Sequence, residues 1–369
     1  MKIGILTSSR ADYGIYLPLL NKLKVDSFFE LEIIAFGTHL SKNHGYTITD
    51  IVKDDYKTIH EIISLVEDDS QKGISTSYGN TVLKFSEFWE NYSFDLVLCL
   101  GDRFEMSAAV QASIPFGIKL AHIHGGETTL GAIDNIYRHQ ITLASSLHFT
   151  STDNYKNKII TLTETKENIV NVGSLSLDNI ASFKPIEKDL FYNKFNILEK
   201  DFALVTFHPE TVATNKNSYF ANEMKIALTE ISKSLNIIIT MPNADTLGMV
   251  YRKKIEELKA ENKNKVVLIE NFGKMNYFSA MYYAELLIGN TSSGILEAAS
   301  FSKYVLNIGN RQKGRLQSKN ILDVDFNSKD ILLKFNEALR MKSFKGKNIY
   351  YKKGAANAII KSIKQHEGL

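Results

Sequence analysis

Short runs of Val, Ile and Leu, each ending in a polar loop, alternate along almost the whole chain with longer segments whose apolar residues recur at helical spacing. This rhythm constrains the fold more than any other feature. Strands buried on both faces and joined through helices belong to parallel α/β sheets. In the first half the strand runs lie at Lys2 to Thr7, Leu31 to Phe36, Asp95 to Leu100, Lys119 to Ile123, Leu147 to Thr150 and Ile169 to Val172. Between about Pro185 and Lys200 the pattern lapses into charged and aromatic residues and reads as a linker. Strands resume at Ala203 to Phe207, Asn236 to Met241, Val266 to Glu270, Leu286 to Gly289 and Tyr304 to Asn307. The expected fold class is α/β, with two doubly wound Rossmann-like domains, 1–185 and 186–369, facing a cleft. The amphipathic tail Ala355 to Gln365 is expected to pack back on the first domain.

Length agrees with two domains, since 369 residues that are 44% hydrophobic exceed what one core usually holds. The formal charge of +3 is spread over interleaved acidic and basic residues, without the basic stripe that a nucleic acid would require. The apolar start is too short for a signal-peptide core, and no later run is long enough to span a bilayer. Cys99 stands alone, which excludes an intrachain disulfide and a cysteine metal cluster. A soluble protein of the reducing cytoplasm is expected.

Open parallel sheets bind ligands beyond the carboxyl ends of their strands, so the loops after these runs are where chemistry belongs. The first offers Ser8-Ser9-Arg10-Ala11-Asp12, a guanidinium and backbone donors at a helix start, with an Arg10–Asp12 pair as the bland alternative. The loop after Leu100 offers Gly101-Asp102-Arg103, in which Asp102 is either a general base or an N-cap. His124-Gly125-Gly126-Glu127 and Asp134-Asn135-Ile136-Tyr137-Arg138-His139 form the densest group of titratable residues, and an intrahelical Asp134–Arg138 pair is the competing explanation. His122, His124 and Glu127 imitate a metal site. In a strand, however, the two histidines would share a face while the glycine pair carries Glu127 away, so no metal is expected.

In the second half, His208-Pro209-Glu210 and Met241-Pro242-Asn243 end two strands. The sharpest signal is Gly289-Asn290-Thr291-Ser292-Ser293-Gly294, where backbone N–H groups and hydroxyls converge on one anion. It imitates a P-loop, but Ile295 and Leu296 occupy the Lys and Ser/Thr positions and exclude that reading. Glu297, placed on the first turn of the following helix, suits a ribose hydroxyl pair, with pairing to the helix dipole as the bland alternative. Asn310-Arg311-Gln312-Lys313-Gly314-Arg315 brings cations to the same end of the sheet.

Taken in order, Ser9-Arg10-Ala11-Asp12-Tyr13, Leu100-Gly101-Asp102-Arg103-Phe104, His122-Ile123-His124-Gly125-Gly126-Glu127, Arg138-His139, His208-Pro209, Gly289 to Gly294 and Gly309-Asn310-Arg311-Gln312 resemble the sialic-acid branch of the UDP-N-acetylglucosamine 2-epimerases. The resemblance runs from the first loop to about Val324. It implies the two-domain fold shared with one class of glycosyltransferases (GT-B), and a hydrolysing 2-epimerase that needs neither metal nor nicotinamide. Carried over residue by residue, it makes Asp102, Glu127, Asp134 and His139 the acid/base candidates, with Asp102 preferred as the base for C2 and Glu127 for handling water. Arg10, His208, Thr291, Ser292, Gly294, Glu297 and Arg311 become nucleotide contacts, and Arg103, Asn243 and Ser293 further substrate contacts.

The implied substrate is UDP-N-acetylglucosamine or its 4-acetamido-6-deoxy analogue UDP-N,N'-diacetylbacillosamine, with UDP as product. A homodimer or homotetramer is the expected assembly. The variable stretch Leu130 to Ile133 and the Met241-Pro242 pair leave the sugar open. Three alternatives compete: a GT-B glycosyltransferase, a non-hydrolysing epimerase and an idle nucleotide-sugar sensor. The first is weakened because Gly289 and Val305, eight positions either side of Glu297, are not the second Glu that many retaining transferases carry.

Overall fold

The computed structural model describes residues 1–197, 201–242 and 248–366. It divides into two compact units. The first comprises Met1–Glu127, Ile133–Ala181 and Tyr350–Leu369, and the second Thr128–Ala132 and Ser182–Ile349.

The first unit winds as β1 (Lys2–Thr7), α1 (Arg10–Leu23), β2 (Glu30–Phe36), α2 (Ile48–Lys53), β3 (Thr58–Ile62), α3 (Gln71–Asn91), β4 (Leu96–Leu100), α4 (Phe104–Ser113), β5 (Leu120–Ile123), α5 (Asp134–Ala144), β6 (Leu147–Thr150), α6 (Asp153–Thr163) and β7 (Ile169–Asn171). Its seven strands are all parallel, in the order β3-β2-β1-β4-β5-β6-β7. Every residue of β4, β5 and β6 is buried, as the continuous apolar runs require of central strands.

The second unit runs α7 (Lys188–Lys194), β8 (Phe202–Thr206), α8 (Asn217–Ile231), β9 (Asn236–Thr240), α9 (Gly248–Glu261), β10 (Val266–Ile269), α10 (Gly273–Tyr283), β11 (Leu286–Gly289), α11 (Ser292–Leu296), β12 (Val305–Ile308), β13 (Ile321–Val324) and α12 (Ser328–Met341). Its six parallel strands are ordered β10-β9-β8-β11-β12-β13. The stretch 185–200 that reads as a linker holds α7 instead. Phe191 of α7 is fully buried and stacks within 6.0 Å of Phe272, so its aromatic residues belong to a core rather than to a tether.

The last helix, α13 (Ala355–His366), belongs to the first unit. Its Ala355, Ala356, Ile359 and Ile363 join Leu19, Leu20 and Leu23 of α1 in the same core. Asp178 accepts the N–H of Ala356 at 3.1 Å, and Lys364 pairs with Asp26 at 2.7 Å.

Strand order reverses between β1 and β4 in one unit and between β8 and β11 in the other. A crevice at such a switch point is where doubly wound sheets take ligands. The residues following these four strands are Ser8 to Arg10, Gly101 to Arg103, Phe207 to Glu210 and Asn290 to Gly294.

Candidate active site

At the first switch point Asp12 forms a capping box with Ser9 at the start of α1. Its carboxylate accepts hydrogen bonds from Thr7 Oγ1 at 2.5 Å and from the Ser8 backbone and hydroxyl, both at 2.9 Å, and lies 3.8 Å from His39 Nε2. Burial pushes its pKa up, but the bonds from His39, Thr7 and Ser8 outweigh it and hold the group below the usual carboxylate range. Arg10 is the first helical residue and stands half-buried at this loop.

Two of the acid/base candidates, Asp102 and Glu127, come together where β4, β5 and β6 end. Gly101 takes a left-handed φ of 78° and hands the chain to Asp102, whose side chain is 25% exposed. Asp102 is not the N-cap of α4, which is Arg103. It pairs with the guanidinium of Arg138. Arg138, only 2% exposed, also donates to the His124 carbonyl at 2.9 Å and lies 3.7 Å from Glu127. The local Asp134–Arg138 reading therefore gives way to a longer-range one, since the arginine fork faces two carboxylates from separate loops.

Glu127, 1% exposed, accepts the Ser151 hydroxyl at 2.7 Å, and Ser151 directly follows β6. The glycine pair does not carry Glu127 away from the histidines. His124 and Gly126 adopt positive φ, so the chain doubles back and sets Glu127 Oε1 3.6 Å from His124 Nδ1. A Cβ on Gly126 would meet the Tyr155 carbonyl at 2.6 Å, so that turn demands glycine. The Leu175 N–H donates to His124 Nε2, which places the proton of a neutral ring on the nitrogen facing Glu127.

The two histidines do not share a face either. His122 Nε2 donates to the Gly101 carbonyl at 2.9 Å, and its other nitrogen meets Thr142 Oγ1 at 3.1 Å. Among the described residues no three His, Cys, Asp or Glu side chains converge as a metal ion would need.

Asp134 and His139 lie on α5, Asp134 as its first residue. Burial, then the positive charges of Lys158 and Arg138, push His139 down to about 4. At neutral pH it is therefore an uncharged imidazole, and its Nδ1 is buried with no hydrogen-bond partner among the described residues. Arg103 forks onto Glu105 through two bonds of 2.8 and 3.2 Å, so its guanidinium braces the start of α4.

In the second unit Thr291 is the N-cap of α11, and Ser292, Ser293 and Gly294 are its first residues. Gly289 lies so close to β8 that a Cβ would come within 1.8 Å of the Thr206 carbonyl. The Ser293 hydroxyl donates to Tyr277 at 2.9 Å, leaving only its lone pairs for a ligand. Glu297 is not on the first turn of α11. That helix has five residues and Glu297 is its C-cap, largely buried. Within reach of Tyr277, its charge adds to the upward push that burial exerts on that hydroxyl, pushed up to about 12.

His208 and Arg311 stand on the loops after β8 and β12. Thr128–Ala132 packs on the latter: Leu130 donates its N–H to the Lys313 carbonyl at 2.8 Å. Asn243 lies outside the described residues.

Sequence reading names Arg138, Glu210 and Asn290 inside its motifs without giving them a site role, and it passes over Ser151. Arg138 is legible as a helical neighbour of Asp134 and as half of the Arg138-His139 motif, but not as the shared partner of Asp102 and Glu127. Ser151 carried no signal beyond its place after a strand.

The profile of the UDP-N-acetylglucosamine 2-epimerase family matches residues 21–364. The GDP/UDP-N,N'-diacetylbacillosamine 2-epimerase (hydrolyzing) of Campylobacter jejuni is 35% identical over 93% of this chain and 88% of its own length. The UDP-N,N'-diacetylbacillosamine 2-epimerase (hydrolyzing) of Legionella pneumophila is 33% identical over 95% of this chain and 92% of its own. Among solved structures, the UDP-GlcNAc 2-epimerase of Neisseria meningitidis bound to UDP-GlcNAc shares the fold with a TM-score of 0.81. That alignment has 16% identity and covers 99% of this chain and 100% of that one. The fold is thus of the GT-B type, two parallel-sheet α/β units, and the protein is an enzyme of the nucleotide-sugar class. The chain belongs to the UDP-N-acetylglucosamine 2-epimerase family.

Proposed function

We propose that this protein is a hydrolysing 2-epimerase that releases UDP from a UDP-linked 2-acetamido sugar and inverts C2. The first unit supplies the acid/base groups and the second holds the nucleotide. The observation that carries the reading is the Arg138 guanidinium shared between Asp102 and Glu127, because it holds two carboxylates from adjacent strand ends close enough to serve the neighbouring C1 and C2 of one sugar ring. A buried arginine fork orients such carboxylates, as a general base requires.

In this scheme Asp102 takes the proton from C2, the C1–O bond breaks, and its electron pair leaves with UDP. The C2–H electrons form the C1=C2 bond of a 2-acetamidoglycal. Water then adds its hydroxyl to C1, with Glu127 accepting the remaining proton, while a proton returns to C2 on the opposite face. Asp134 and the uncharged His139 orient or relay protons. Arg10, Arg311 and the backbone N–H groups around Ser292 and Gly294 neutralise the charge developing on the diphosphate, and His208, Thr291 and Glu297 hold the nucleoside.

The two relatives that are 35% and 33% identical carry the diacetylbacillosamine name, the 32% identical relative of Escherichia coli is named polysialic acid biosynthesis protein P7, and the UDP-N-acetylglucosamine 2-epimerase of Neisseria meningitidis is 25% identical. That ordering favours UDP-N,N'-diacetylbacillosamine as the substrate and 2,4-diacetamido-2,4,6-trideoxymannose as the sugar product. A place on a route to legionaminic- or sialic-type acids, a cytoplasmic location and a homo-oligomeric assembly accompany this reading.

Turnover in heavy water with each UDP sugar, followed by mass spectrometry, tests it. One solvent deuterium at C2 of a free reducing sugar, with UDP released in the absence of any acceptor, is the expected result. A nucleotide-linked product or an undeuterated sugar would sink the scheme. Asp102→Asn is expected to keep UDP affinity and lose turnover by about 10²- to 10⁴-fold, measured as initial UDP release.

A further inference from the structure

Two buried polar side chains of the second unit have no role in this chemistry, yet they tie together the loops that carry its nucleotide contacts. Asn290, fully buried after β11, spends both ends of its carboxamide on one residue. It accepts the His208 N–H at 2.7 Å and donates to the His208 carbonyl at 2.9 Å. This is the pairing a neighbouring strand would make, supplied by a side chain just beyond the end of β8. Gln312 closes the link to the third loop by donating to the Asn290 carbonyl at 2.8 Å.

Glu210 is the second tie. Its side chain is buried, its N–H donates to Asn217 Oδ1 at 2.9 Å, and its carbonyl accepts from Asn217 Nδ2 at 2.9 Å. Held in this way, its Oε1 accepts the Asn310 N–H at 2.6 Å. Gly309, immediately before, has φ of 80°, and a Cβ there would lie 2.5 Å from the same oxygen. The turn that presents Arg311 is thus moulded onto the carboxylate. Burial raises the Tyr251 hydroxyl, Glu210 adds to that push and Arg311 opposes it, so both charges act on one buried group.

A carboxylate beside a diphosphate site repels the ligand, and a buried one is costly to desolvate. Its compensating use is geometric. We infer that Glu210, with Asn290, is a positioning residue for the nucleotide: it fixes the Gly309–Arg311 turn so that the Arg311 guanidinium faces the diphosphate. This rests on the function proposed above.

The experiment compares UDP binding by calorimetry, with KM and kcat, for the parent, Glu210→Ala and Glu210→Gln, with thermal melts reporting folding. The Gln amide oxygen still accepts the Asn310 N–H and removes the repulsive charge, so Gln is expected to bind UDP within threefold of the parent. Ala lacks the acceptor and is expected to bind at least fivefold more weakly, with KM rising more than kcat falls. If Ala fails to fold, Glu210→Asp, which withdraws the oxygen by one methylene, is expected to show the same loss. Less than fivefold weakening in Ala, or in Asp where it replaces Ala, overturns the assignment. So does a Gln variant as weak as Ala, which would make charge rather than geometry the requirement. A parent that does not bind UDP would instead bring down the functional reading on which the inference stands.

Discussion

Arg138 does at one position what no local pairing on α5 achieves: it meets Asp102, the His124 carbonyl and Glu127 from a buried site. Lysine cannot reproduce this, because a single ammonium has no planar fork and is harder to desolvate. Arg138→Lys is therefore expected to lower kcat by roughly 10²-fold or more and to destabilise the first unit by about 2 to 4 kcal/mol, since one ammonium cannot serve Asp102, the His124 carbonyl and Glu127 at once and leaves buried polar groups unmatched. Steady-state UDP release and a denaturant titration check both effects, and full activity in the lysine variant would remove the guanidinium from the argument. At this scale the sequence was partly legible. Asp102 and Glu127 follow strand runs, so their approximate location could be read. Their shared partner could not, because the i to i+4 spacing from Asp134 offers Arg138 a plausible local explanation. Only the reversal at His124 and Gly126 brings Glu127 back. Glu297 was misplaced for a related reason: nothing in the letters says that α11 stops after five residues.

Strands β4, β5 and β6 place Cys99, His122 and His148 in register, one beside the next. α5 and its C-cap cover the first two with polar groups, Ser145 3.8 Å from Cys99 and Thr142 against His122. Burial pushes His148 down to about 4. Burial drives His122 well below its ordinary value, with His148, Arg138 and His124 adding to it against the bond to Gly101. The sign follows from linkage: these rings take up protons in the unfolded chain first, so stability falls as pH drops from about 6.5 towards 4 and levels off below the folded values. For His148 alone the loss approaches ~3 kcal/mol. Calorimetric melts between pH 7 and 4 should show it, and His148→Leu should flatten that part of the slope. An unchanged slope would remove His148 as its source. The buried strand runs were readable to within a residue or two, whereas β3 and β13 were missed. Both are edge strands, and Thr58–Ile62 and Ile321–Val324 are mostly half-exposed, so neither carries the uninterrupted apolar run that betrays an inner strand.

On the scale of the whole molecule, the repeated alternation of strand and helix was enough to predict two wound sheets. The order in which the chain visits them was less legible, because residues 128–132 lie in the second unit and 350–369 return to the first. Removing everything after Ile349 should therefore damage the first unit and not the second. Hydrogen exchange on the truncated protein is expected to lose protection across α1, where Leu19, Leu20 and Leu23 would face water, and to retain it in β8 to β12. Uniform loss, or no loss, would contradict the division.

The placement of α13 also bears on synthesis at the ribosome. The portion translated earliest stays an open hydrophobic surface until the closing segment has left the exit tunnel, while the portion translated later can already be complete. Biogenesis of this enzyme should therefore run against the order of its residues, with α1 the surface most in need of a chaperone in the interval.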